Sequence, residues 1–322
     1  MPDNIRLLIQ SPPFVRGRFS SQGLMFAVLL ALLPAAAASV YFFGQNALIH
    51  IVATVVTAVA VEGISQIIVG RPVTIMDGSA AVTGLLLAFN LPPAAPYWIG
   101  PAGAAIAILI VKQVFGGLGH NFVNPALAAR VILLASWPKQ MVSFVSPIDA
   151  ISTATPLAII QGGEAVGTWP SMFEMFIGRI GGSLGETSSL ALMLGGIALI
   201  YFGVIDFRIP AGMLGTMFVM GTLFGAGGIN PSYGLYHVLA GGAVLGAFFM
   251  ATDYVTSPVT KRGRWIYGMA IGFIAMLIRL WGSFPEGVSY AILLMNIGAP
   301  LIERFTIPRK FGEVSSNARS AT

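Results

Sequence analysis

"SAAVTGLLLAF", residues 79–89, is apolar enough to lie in a membrane but too short to cross one. It is bounded by Asp77-Gly78 on one side and Asn90-Leu91-Pro92-Pro93 on the other. A full helical crossing takes about 20 residues. The stretch has a counterpart far along the chain, "GGAVLGAFFMA" at 241–251. Short or interrupted apolar segments in corresponding positions of two halves are the sequence sign of discontinuous helices around a site at mid-membrane depth.

Working outward, apolar segments fall near 24–44, 47–69, 79–91, 97–115 and 124–137, and again near 188–204, 211–226, 237–251, 265–282 and 287–303. These read as about ten spans in two sets of five, with 79–91, 124–137 and 287–303 short. A second pairing supports the grouping: "AIAILIVKQVFGG" (105–117) resembles "FIAMLIRLWGS" (273–283), which places Lys112 near Arg279 in the alignment. An odd number of spans per repeat inverts the second half relative to the first. The expected fold is therefore an all-α polytopic membrane protein of two inverted five-helix repeats. It divides into an N-terminal segment 1–23, repeats at 24–137 and 188–303, a connecting segment 138–187 and a tail 304–322.

Composition agrees. Of 322 residues 56% are hydrophobic and 9% charged, with mean hydropathy +0.84, against about 25% charged in a soluble domain. The absence of cysteine excludes a disulfide framework, a thiolate zinc site and an iron–sulfur cluster held by this chain alone. His50, His120 and His237 have no metal spacing. The net charge of +5 is scattered, which speaks for orientation in a bilayer and against nucleic-acid binding.

Cytoplasmic loops are enriched in Lys and Arg. With the N-terminus inside, Arg6, Arg16, Arg18, Arg71, Lys112, Arg130, Arg208, Lys261, Arg262, Arg264, Arg304, Arg309, Lys310 and Arg319 fall on the cytoplasmic side. Only Lys139, Arg179 and Arg279 fall on the other. Both termini are then expected in the cytoplasm and 138–187 outside it.

That outer segment holds "SPIDAISTATPLA", 146–158, in which Asp149, Ser152, Ala154 and Thr155 form an Asp-x-x-Ser-x-Ala-Thr pattern. On residue types alone the pattern also suits a Ser/Thr helix cap ahead of Pro156. Two further stretches stand out: "MDGSAAVTGLLLAFNLPP" (76–93), with Asp77 placed to favour a helix N-terminus, and "FGGLGHNFVNPALAARVILL" (115–134), with Asn121 and Asn124 around a Gly-rich break. Amides at this spacing offer donor and acceptor edges to a neutral ligand or cap helix ends. His120 reads as a hydrogen-bonded packing residue. Glu62, inside the second span, reads as an ion-path acid or as a partner of Gln66 one turn on. Asp253 is a second acid at span depth.

Together these motifs resemble the membrane flavin subunits of ion-pumping redox complexes, the family of the Rnf D subunit and the B subunit of sodium-pumping NADH:quinone oxidoreductase. The resemblance runs from "SPPFVRGRFS" (11–20) to "LIERFTIPRKFG" (301–312). It implies FMN joined through its phosphate to Thr155 by a flavin transferase, with Asp149, Ser152 and Ala154 completing the motif; Ala150 stands where the family often has Gly. It implies a second, non-covalent flavin, riboflavin, at Asn121 and Asn124, with the stretch from Asp77 lining the same membrane-embedded site. It further implies a urea- or ammonium-channel-like architecture, a place in a prokaryotic inner membrane, and coupling of ferredoxin:NAD electron transfer to Na+ or H+ movement. The partners would be the A, B, C, E and G subunits, which would hold the iron–sulfur clusters and nicotinamide site absent here. "DGSAAVT" (77–83) imitates the flavin motif, but the charge distribution puts it on the cytoplasmic side, so Thr83 is expected to carry no flavin. On fold alone, a channel or transporter without redox role is the alternative.

The orientation is testable because the chain has no cysteine of its own. A cysteine replacing Ser171 should react with an impermeant thiol reagent on intact cells, and one replacing Ser316 only after lysis; the reverse pattern would invert the topology.

Overall fold

The computed structural model describes residues 20–147, 153–162, 169–225, 228–282 and 287–307. Asp149 and Ser152 of the flavin motif lie outside them. So do Arg6, Arg16, Arg18, Arg309, Lys310 and Arg319.

The regular elements among the described residues are all helices. The first half holds α1 (Ser21–Phe43), α2 (Gln45–Val69), α3 (Ser79–Phe89), α4 (Ile99–Ile106, continuing in wide turns over Ala107–Gln113) and α5 (Pro125–Ser136). Three short helices follow: α6 (Pro138–Met141), α7 (Pro156–Gly162) and α8 (Met172–Ile177). The second half holds α9 (Ser189–Tyr201), α10 (Arg208–Phe224), α11 (Pro231–Leu239), α12 (Ala243–Leu245, continuing in wide turns over Gly246–Met250), α13 (Lys261–Trp281) and α14 (Val288–Thr306).

Among the described residues α1, α2, α13 and α14 are long and apolar enough to cross a membrane; α11 with α12 and its continuation is as apolar but bent by 68°, the shape of a broken span or a re-entrant loop. The remaining apolar helices are α3, α4, α5, α9 and α10, each under 18 residues. The apolar segments read from the sequence therefore exist, but about half are not single full-length spans. Two differ in kind. The segment at 287–303, expected to be short, continues to Thr306. The segment at 237–251, counted as one span and paired with the short 79–91, breaks at Ala240-Gly241-Gly242, where both glycines have positive φ (62° and 66°).

Helix ends follow local chemistry. α1 and α2 are joined by Gly44 alone, at φ 66°, a conformation that strains any residue with a Cβ. Asn124 and Asn230 cap α5 and α11, each followed by proline at the first helical position. Ser188 and Thr260 cap α9 and α13.

Small residues bring the two halves together. A Cβ on Gly195 of α9 would lie 1.9 Å from the Ala31 carbonyl oxygen of α1, so only glycine permits that contact. Exposed Leu30, Leu33, Val52, Val56, Ile64 and Ile67 on α1 and α2 form an apolar outer surface, as expected of helices solvated by lipid. Part of the connecting segment enters the bundle. Residues 182–189 are buried, and Leu184 and Gly185 donate backbone hydrogen bonds to the Leu91 and Phe89 carbonyls (2.9 Å each), closing the end of α3.

Candidate functional site

Two polar regions stand at opposite ends of the bundle. The first lies by the start of α1, where Gln22 donates to the Met76 carbonyl. The second lies by its end, where Gly178 packs on Phe42. α1 has 23 residues, about 34 Å at 1.5 Å per residue.

At the first end the Asp77 carboxylate accepts from the Ser79 amide (2.8 Å) and hydroxyl (2.6 Å). The Ser79 hydroxyl in turn accepts from Lys112 Nζ (2.6 Å). Lys112 also pairs with Glu62 at 2.6 Å, and Gln113 donates to the same Glu62 oxygen at 2.9 Å. The pair is almost wholly buried, at 3% and 1% exposure. Removing one partner of such a pair typically costs about 3–5 kcal/mol, because it leaves the other charge buried and uncompensated. Glu62 is thus not a partner of Gln66; that amide is used by Thr74 (2.8 and 2.9 Å). The true partners come from the end of α4, far away in sequence.

Asn121 and Asn124 do not share a helical face, although their spacing allows it. Asn121 lies in the irregular segment before α5, and Asn124 is the helix cap. Asn124 Oδ1 accepts from the Ala126 and Leu127 amides, and its Nδ2 donates to the Met250 carbonyl (3.3 Å). Both asparagines nevertheless line one cavity, together with Ser79, Thr83, Lys112 and Asp253. Asp77 stands one hydrogen bond behind it, through Ser79. Asp253 is held by Asn121 and Thr256 (3.2 Å to the latter). His120, read as a hydrogen-bonded packing residue, is exposed with its ring against Gly116.

The donors and acceptors of this cavity suit the amide edge of a flavin ring. Its size does not: the enclosed space is about 80 Å³, whereas pockets that bury drug-sized ligands run to about 300–1,000 Å³. A flavin enters here only if the walls move.

At the second end Thr155 is 6% exposed. Its hydroxyl oxygen accepts from the Ala158 amide (3.3 Å) and so caps α7. The cap reading of the motif is therefore realised, and the open, exposed threonine expected for an external enzyme is not. Thr155 also walls a pocket of about 340 Å³ with Thr153, Ala154, Phe144, Met141, Leu134 and Arg130. This volume lies within the range for ligand sites. An apolar wall with one guanidinium matches a flat aromatic ring bearing a phosphate.

Arg130 is a site residue that sequence reasoning misses, because the loop-charge rule sends it to the cytoplasmic side with the other cations. It sits on α5 at the Thr155 end, donating to the Ser289 hydroxyl (2.6 Å). The single arginine inside "PALAARVILL" is the available signal, because charges at span depth default to function. Among the described residues several other cations follow the two-ended division. Arg208 and Arg264 meet at Asp206, and Arg304 lies beside the Thr306–Thr260 contact. Arg179 lies near Tyr41, and Arg279 donates into the α11–α12 break.

A bundle of apolar, partly discontinuous helices with a buried ion pair defines a polytopic membrane protein. Likeness to known proteins narrows the class. Residues 8–312 match the model of the NQR2, RnfD, RnfE family, and the chain belongs to that family. It is 49% identical over 314 residues to the D subunit of the Na(+)-translocating ferredoxin:NAD(+) oxidoreductase complex of Acetobacterium woodii, covering 96% of each chain. It is 45% identical to the proton-translocating counterpart of Clostridium ljungdahlii (94% and 96% covered). With the D subunit of the ion-translocating oxidoreductase complex of Stutzerimonas stutzeri the identity is 40%, over 94% of each chain.

If riboflavin occupies the Asn121–Asn124 cavity, the double variant Asn121→Ala, Asn124→Ala should lower extractable, non-covalent flavin per protein by more than half. In-gel fluorescence of the denatured chain should be unchanged. Undiminished extractable flavin would place that cofactor elsewhere.

Proposed function

We propose that this chain is the D subunit of an ion-translocating ferredoxin:NAD oxidoreductase and carries FMN as a phosphoester on Thr155. The observation that carries the cofactor assignment is the pocket beside Thr155, which has the volume, the apolar wall and the cation that the group requires. The relatives' names support the complex. They name different ions, Na+ in one and the proton in the other, at similar identity to this chain, so the coupling ion stays open between the two. Nothing in this chain alone performs the reaction; ferredoxin and NAD sites belong to partner subunits.

The bond-forming step is a transfer from FAD. The Thr155 hydroxyl oxygen attacks the phosphorus on the FMN side of the pyrophosphate, AMP leaves with the bridging oxygen, and the hydroxyl proton passes to a base of the transferase. Once bound, FMN supplies one-electron transfer. The chain's own residues do the rest. Thr155 fixes the phosphate end, Arg130 offers its counter-charge, and Leu134, Met141 and Phe144 exclude water from the ring. Since Thr155 is buried and caps α7, loading precedes the docking of this segment against α5. An outward position for the segment, and inversion between the halves, complete the proposal. In support of the latter, Lys112 at the end of α4 and Arg279 of α13 are both buried and both bind at the short or broken third helix of their own half.

The alternative, a solute channel, leaves no mark on a denatured chain. With the transferase coexpressed, the chain should fluoresce under ultraviolet light in a denaturing gel. Thr155→Ala should reduce that signal to background, and Thr83→Ala should leave it intact. Fluorescence persisting in Thr155→Ala would sink the assignment.

A further inference from the structure

A second pair of spaces lies far from Thr155 and adjoins the Asn121–Asn124 cavity, sharing Ile205, Thr252 and Tyr254 with it. At the end of the bundle that holds the start of α1, a pocket of about 400 Å³ lies between the α9–α10 loop and the start of α13, lined by Gly203, Val204, Asp206, Arg208, Tyr254 and Arg264. Both guanidiniums bond the same Asp206 oxygen through Nη1, each at 2.7 Å. Burial pushes the Asp206 carboxyl up, but hydrogen bonds from the Arg208 amide and from both guanidiniums outweigh it and hold the group below the usual carboxylate range. One ionised carboxylate thus faces two guanidiniums, and exposed Lys261 and Arg262 stand at the start of the same helix as Arg264. The local balance is strongly positive.

Directly beside this pocket runs an apolar groove of about 340 Å³ between α1 and α9. It follows Leu194, Ala198, Leu199 and Phe202 on one side and Leu30 and Pro34 on the other, and its end is Val204, which also lines the cationic pocket. From Leu194 to the end of α9 at Tyr201 the groove covers about 10 Å at the helical rise. Tyr201, Phe202, Phe207 and Trp265 are exposed around the junction, which is where aromatic side chains sit at a membrane–water boundary. A cationic pocket opening into an apolar groove is the negative image of an amphiphile with an anionic head and an acyl tail.

We propose that the Arg208–Arg264 pocket and the α1–α9 groove together form a binding site for one anionic phospholipid, with the head-group phosphate between the guanidiniums and an acyl chain along α9. An acidic surface of a partner subunit would meet the same cations but would leave the groove unused, and the continuity of the two spaces favours the lipid. The guanidiniums keep donors beyond the single Nη1 that each gives to Asp206, so a phosphate can be taken on with the Asp206 cluster in place.

The test is native mass spectrometry of the purified full chain in detergent. It is titrated with phosphatidylglycerol, with phosphatidylcholine of the same acyl chains, and with glycerol phosphate as a head group lacking a tail. Phosphatidylglycerol should bind at least ten-fold more tightly than either of the others. Arg208→Gln should remove most of that preference. Ala198→Phe, which fills the groove without touching the Asp206 cluster, should weaken phosphatidylglycerol several-fold while retaining the melting temperature. Equal affinity for the two lipids would overturn the proposal. So would glycerol phosphate binding as tightly as the lipid, which would reduce the site to an anion pocket. Full phosphatidylglycerol affinity in both variants would also overturn it.

Discussion

Inside a bilayer no water is at hand to bond a free peptide group, and this chain ends several helices inside its own bundle. Much that is distinctive in the structure answers that constraint. The end of α3 is closed by backbone donors from Leu184 and Gly185. The break between α11 and α12 presents the carbonyls of His237, Ala240 and Gly241, and Arg279 binds all three, at 2.5, 3.1 and 2.8 Å. The start of α5 is capped by Asn124, whose amide also reaches the last residue of the wide turns that follow α12. The end of α3 is held by the connecting segment and the α11–α12 break by Arg279 of the same half, while the Asn124–Met250 bond joins the two halves, so separating them frees the Met250 carbonyl.

The same device positions the candidate flavin end. Gly241, in the break, lies against Leu157 of α7 and beside the Arg279 guanidinium; a Cβ there would meet the Leu157 side chain at 2.1 Å. Leu157 packs with Leu239 and Ala240 in a small cluster separate from the main core. The seat of Thr155 therefore rests on the α11–α12 break, and through it on Arg279. At the other end the Glu62–Lys112 pair ties α2 to the end of α4, and Lys112 holds the start of α3 through Ser79. A buried ion pair is a costly way to join helices. Its placement on the wall of the Asn121–Asn124 cavity gives that cavity a fixed, charged side.

The helical class, the apolar segments and the short α3 and α5 are legible in the sequence because they depend on local composition and on caps such as Asn124-Pro125. The family is legible in the motifs at 76–93, 115–130 and 149–157. What stays hidden is long-range. Glu62 pairs with a residue fifty positions away, and the closer Gln66 is only a plausible neighbour. The Ala240–Gly242 break is masked by apolar residues on both sides, although two adjacent glycines mark it. Arg130 lies within a helix, where a rule for loop charges does not govern. Burial of Thr155 is unreadable from its neighbours, since it arises from α5 and the connecting segment closing over it.

A covalent flavin on one threonine is tested most directly by a peptide map of the chain purified after coexpression with the transferase. Cleavage after Lys139 and Arg179 yields the peptide 140–179, and, because Pro72 blocks cleavage after Arg71, cleavage after Arg18 and Lys112 yields 19–112, which holds Thr83. One adduct of FMN less water is expected on the first, with fragment ions placing it on Thr155. An unmodified 140–179 peptide, or the adduct on the peptide that holds Thr83, would contradict the assignment.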